Sequence, residues 1–178
     1  MSKERSISIV VSPISRERVL KGTLFIVGFG VFLSFLTKTS LFITQSDSVE
    51  GRVFLVLKGS SWEKGDLIGI TDFELQDHFT MPRLLKKVGG VAGDKVLIKG
   101  DQIFINDQLI GPLFKETSTG RTLNLIVDSM ENNIIPKDCF FLAGTHPRSF
   151  DSRYKEFGLL CLNDNARTKV LGKAIRII

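Results

Sequence analysis

Sixteen consecutive residues, 22–37, carry no charge, and Lys21 and Lys38 bracket them. Phe25, Phe29, Phe32 and Phe35 recur at helical spacing, while Leu24, Ile26, Val27 and Val31 make the segment apolar on every side. At 1.5 Å per residue the run gives about 24 Å of helix. Apolar neighbours from Val19 to Ile43 extend it toward the roughly 30 Å of a bilayer's hydrocarbon core. The pattern predicts a membrane anchor over residues 19–43, with a buried helix of a soluble protein as the alternative. A cleaved signal peptide needs small residues at the end of its apolar run. Phe35-Leu36-Thr37-Lys38 stands there instead, so the anchor is expected to be retained.

From residue 53 the period shortens to that of β-strands bounded by turn residues. VFLVLK (53–58), LIGIT (67–71), LLKKVGGV (84–91), KVLIK (95–99), QIFIN (102–106) and QLIGPL (108–113) are predicted strands. TLNLIVD (122–128), CFFLA (139–143), GLLCL (158–162) and KVLGKAIRII (169–178) complete the set. Gly100-Asp101 between two of them signals a tight hairpin. The expected fold is mainly β, with packed antiparallel sheets and one N-terminal transmembrane helix. Residues 72–83 and 145–157 lack strand character and are read as long loops that carry function.

The chain has 178 residues, enough for one compact domain and an appendage. The expected organisation is a cytoplasmic tail (1–18), the anchor (19–43) and an extracytoplasmic domain (44–178). Of the net charge of +5, the first 21 residues hold +3. The basic excess is thus a membrane-orienting flank, and no nucleic-acid partner is expected. The same flank predicts a single-pass protein of the cytoplasmic (inner) membrane, with its N-terminus in the cytoplasm and its main domain in the periplasm. Two Cys and two His are too few and too scattered for zinc, so no metal and no other cofactor is expected. Cys139 and Cys161 lie in strands flanking the loop 145–157, either as a disulfide or as two buried thiols.

Three stretches carry the groups for acyl transfer. Ser46-Asp47-Ser48-Val49-Glu50-Gly51-Arg52 follows the anchor and leads into a strand. Lys86-Lys87-Val88-Gly89-Gly90-Val91-Ala92-Gly93-Asp94 is the second, and Gly144-Thr145-His146-Pro147-Arg148-Ser149-Phe150-Asp151-Ser152-Arg153-Tyr154 the third. A serine hydroxyl needs a base to become a nucleophile. A free lysine, with a pKa near 10.4, serves as that base only when burial lowers it. Lys86 lies between Leu84-Leu85 and Val88, and strand alternation sends Lys87 to the opposite, solvated face.

In order and spacing these stretches resemble the three boxes of the signal peptidase I superfamily of serine–lysine peptidases. The resemblance implies Ser48 as nucleophile and Lys86 as general base. It implies Ser149 as the hydroxyl that orients the amine, and Ser46 with the Ser48 backbone N–H as oxyanion donors. Asp151 and Arg153 are implied as structural support. Ala92 stands where the second box usually has Pro, and Thr145-His146-Pro147-Arg148 is one residue shorter than the general enzyme's insert. The third box is more similar to the TraF-type peptidases of conjugation systems. That likeness implies a membrane-tethered, pilin-like precursor as partner, cut and in some relatives cyclised. A housekeeping signal peptidase and a non-catalytic secretion-apparatus subunit of the same fold remain the alternatives. The anchor argues against a LexA-like cytosolic autoprotease. His146 and His78 are read as loop and surface residues.

Overall fold

The computed structural model describes residues 15–44, 48–162 and 168–178. The chain forms two units, residues 1–37 and residues 38–178. Helix α1, Arg16–Lys38, has 23 residues, about 35 Å at 1.5 Å each. None of its side chains is buried, and Phe25 is 74% exposed. Its length and uncovered apolar surface fit a single-pass membrane anchor.

The range 19–43 divides, however. The helix stops at Lys38, and Thr39–Ile43 is strand β1. It pairs with β2 (Val53–Leu57), Leu41 opposite Leu55. Thr39 and Ile43 are β-branched and Phe42 packs into the core, which favours a pleated surface over another helical turn. The return of apolar residues at Leu41, Phe42 and Ile43, just past the helix, conceals this change of period.

The remaining strands are β3 (Leu67–Glu74), β4 (Thr80–Gly90), β5 (Val96–Lys99), β6 (Gln102–Ile105), β7 (Gln108–Pro112), β8 (Cys139–Ala143), β9 (Leu160–Cys161) and β10 (Lys169–Arg176). They form a seven-stranded antiparallel sheet, ordered β1-β2-β10-β3-β4-β8-β9, and a three-stranded sheet, β5-β6-β7. Mainly β architecture behind one apolar helix is therefore what the chain adopts.

Three apolar clusters hold the strands. Val96, Ile103 and Ile105 of the small sheet pack against Phe141 and Ala143 of β8. Ile68, Ile70, Leu84, Val88, Leu142 and Phe157 form a second cluster. Val49, Phe54, Val56, Leu85 and Ala174 form a third, which ties the residue after Ser48 to β2, β4 and β10.

Two loop assignments change. Residues 72–83 are largely strand, because β3 and β4 stay paired out to Glu74 opposite Thr80. Alternating polar residues at Asp72, Glu74 and Arg83 hide this ladder from a hydrophobicity reading. Residues 122–128, expected as a strand, make only isolated bridges at Thr122 and Leu125, then a 3-10 turn at Ile126–Ser129. Their backbone bonds go to a loop instead: Asn124 N–H to the Glu156 carboxylate, Ile126 N–H to the Arg153 carbonyl. Cys139 and Cys161 are directly opposed in β8 and β9 and form a disulfide, closing the stretch that contains loop 145–157.

Candidate active site

β4 displays its two lysines on opposite faces. Leu84, Lys86 and Val88 turn inward, and Lys86 is 1% exposed, whereas Lys87 is exposed. The Lys86 Nζ donates to Ser149 Oγ at 2.6 Å and lies 5.7 Å from the centroid of the Phe157 ring. Burial pulls the Lys86 pKa down to about 8; the Asp151 carboxylate opposes that shift and the Arg153 guanidinium adds to it.

The loop after β8 is irregular, yet from Ser149 to Tyr154 it is largely buried, and a dense polar network replaces a ladder there. Arg153 donates to Asp151 through Nε (2.8 Å) and Nη2 (2.9 Å), to the Pro112 and Pro147 carbonyls through Nη1 (both 2.7 Å), and to the Ser149 carbonyl through Nη2 (2.8 Å). All five guanidinium N–H groups are thereby used. Asp151 also accepts from the Gly144 N–H at 2.8 Å. Ser152 Oγ donates to the Gly158 carbonyl (2.6 Å) and accepts from the Leu142 N–H (3.0 Å). A buried charge pair is tolerable because each partner is fully hydrogen-bonded. Its effect is to hold the Ser149 backbone beside the Lys86 amine.

Ser48 reaches the same corner from the other side. Its carbonyl accepts from the Thr145 N–H at 2.8 Å, and the Glu50 N–H donates to Thr145 Oγ1 at 2.9 Å. Val49, 4% exposed, buries itself between these two contacts. Gly144 is required here for space: a Cβ on it would collide with both the Ser149 hydroxyl and the Ser48 carbonyl. Ser48 and Ser149 thus both adjoin Gly144, and Lys86 reaches this corner through its bond to Ser149. Among the described residues, the hydrogen bond of the Lys86 amine runs to Ser149 and not to Ser48. Ser46 lies outside the described residues.

His146 is exposed and its Nδ1 accepts from the Arg148 N–H at 3.1 Å. No cluster of metal-ligating side chains occurs among the described residues. Sequence reasoning passed over Gly144, Thr145 and Phe157. Gly-Thr directly after a five-residue apolar strand was a usable sign of a tight corner, whereas the ring contact of Phe157 had none.

A buried lysine near a serine-bearing turn supplies the groups that acyl-transfer chemistry requires. The model of the family described as signal peptidase, peptidase S26, matches residues 16–178, and the chain belongs to that family of serine peptidases. It is also similar to signal peptidase I P of Bacillus subtilis subsp. natto, 26% identical over 140 residues, which is 69% of this chain and 72% of the relative.

Proposed function

We propose that the protein is a membrane-anchored serine endopeptidase in which Ser48 attacks the scissile carbonyl and Lys86 takes its proton. The observation that carries the reading is the buried Lys86 amine, held by Ser149 and depressed to about 8, with Ser149 and the Ser48 carbonyl both against Gly144. A pKa near 8 leaves an appreciable neutral fraction at physiological pH, which a general base requires. Ser149 fixes the amine's direction. The Ser48 N–H and the Ser46 hydroxyl donate to the oxyanion of the tetrahedral intermediate. Asp151 and Arg153 take no proton; they shape the loop.

The substrate in this reading is an exported, membrane-tethered precursor, cut just outside its own apolar segment. Ser48 follows the end of α1 by only ten residues, which favours a bond near the bilayer surface. The short third box supports a conjugative pilin over the general run of signal peptides. The orientation is N-terminus in the cytoplasm and domain 44–178 in the periplasm. An apolar site that slows water attack also lets a tethered amine resolve the acyl-enzyme, which would cyclise the product. The test is mass spectrometry of the pilin in cells carrying Ser48→Ala or Lys86→Ala. Unprocessed precursor is the expected result, and normal processing would refute the assignment. A wild-type product one water lighter than the linear chain would establish ring closure. Processing of pilin intact but general signal peptides accumulating would favour the housekeeping role.

A further inference from the structure

On the outward face of β4, a cleft of about 260 Å³ opens between β7 and the Gly144–Thr145 corner. Thr145 is the residue that hydrogen-bonds Ser48 and Glu50, so this cleft adjoins the serine-bearing turn directly. Two cations and no acid line it: Lys64 and Lys87. They are not equivalent. Lys64 Nζ is bonded to the Asp94 carboxylate at 2.7 Å, so its charge is compensated. Lys87 has no ion pair among the described residues, although it is the immediate neighbour of Lys86 along the strand. The opposite wall, β7, is the edge strand of the small sheet, to which an extended peptide can add by backbone hydrogen bonds.

We propose that this cleft is a substrate subsite selective for an acidic side chain, and that Lys87 determines the selection. An extended polypeptide lying between β7 and the Ser48 turn would carry a Glu or Asp to the uncompensated ammonium. Backbone pairing gives the subsite affinity without sequence demands, and the single charge supplies the discrimination. A partly exposed ion pair of this kind changes affinity by about threefold and weakens with salt.

The proposal rests on the peptidase reading, and one experiment separates the two. The full chain in detergent is given amidated fluorogenic peptides with Ala-x-Ala before the scissile bond. Gln, Glu or Lys is placed in turn at x and at each of the first three positions after the bond. The expected result is that at one or more positions Glu raises kcat/KM about threefold over Gln at low salt, the gain shrinking in about 0.5 M salt. Lys87→Glu should invert the order so that the Lys peptide is preferred, and Lys64→Gln should leave the order as it is. Cleavage of the Gln peptides with no preference for Glu at any position would overturn the subsite while sustaining the peptidase. A Glu preference that survives Lys87→Glu would overturn the role of Lys87. Cleavage of none of the peptides would sink both.

Discussion

The two faces of β4 carry the same side chain one residue apart, and the fold treats the pair in opposite ways. Inward, Lys86 loses its water, meets Phe157 and Ser149, and drops to about 8. Outward, Lys87 keeps its water and stands in an open cleft. Lysine identity therefore says nothing about reactivity. The environment supplied by loop 144–157, wired through Arg153 and Asp151, makes one amine a candidate base and leaves the other a plain cation.

Lys86→Met should break the contrast most severely. It keeps the length of the side chain but removes the proposed base, so kcat/KM should fall by about 10³-fold or more. The thermal midpoint should hold within about 5 °C, because a desolvated amine has been replaced by an apolar group of similar size. A parallel loss of folding would assign Lys86 a structural role instead.

Acidification should come next in size. Burial favours the neutral amine, which is the base in the proposed mechanism. Thus kcat/KM for an uncharged peptide should rise about tenfold per pH unit up to about 8 and level off above it. Stability carries the same sign. The unfolded lysine titrates near its usual 10.5, so between about 8 and 10.5 the folded chain binds fewer protons than the unfolded one. The Lys86 contribution to unfolding free energy therefore increases with pH across that window and is flat below it. Denaturant titrations of wild type and Lys86→Met over this range measure it as their difference.

Thr145→Val should act more gently. It removes the acceptor for the Glu50 N–H while the backbone bond to Ser48 remains. We expect kcat to drop about fivefold with KM little moved, and Thr145→Ser to restore it. A change confined to the melting temperature would make Thr145 a packing residue only. The smallest effect belongs to Lys87→Ala. Its loss should not exceed about threefold and should fall on acidic peptides, as steady-state kinetics on matched Glu and Gln peptides would show.

The split between Lys86 and Lys87 was legible in the sequence, because strand alternation puts Lys86 on the same face as Leu84 and Val88. Most strands were legible for the same reason. β1 was not, since Leu41, Phe42 and Ile43 follow the helix's apolar residues so closely, across Thr37-Lys38-Thr39-Ser40, that they read as an extension of the same span. The strand expected at 122–128 failed because Asn124 and Ile126 find hydrogen-bond partners in a loop 30 residues onward, which no local pattern announces. The Cys139–Cys161 bridge stood open until β8 and β9 were seen to place the two residues opposite each other. Asp151 and Arg153 could be picked out as support, but the five-fold use of the guanidinium depends on carbonyls of Pro112 and Pro147, whose positions are set by tertiary structure alone.

β10 separates β2 from β3 in the large sheet. In the backbone ladder, the strand that continues from the Ser48 turn and the hairpin that carries Lys86 are therefore joined through residues 169–176. During synthesis the chain makes the serine segment first, the lysine strand some forty residues later, and the strand that joins them more than a hundred residues after the serine. Until it inserts, β2 and β3 each keep an unpaired edge, and closure across so long a separation is slow. On the proposed reading, such a chain is timed by its own topology: Ser48 and Lys86 are laid down early, but a half-made molecule emerging beside other nascent chains lacks the assembled centre with which to cut them.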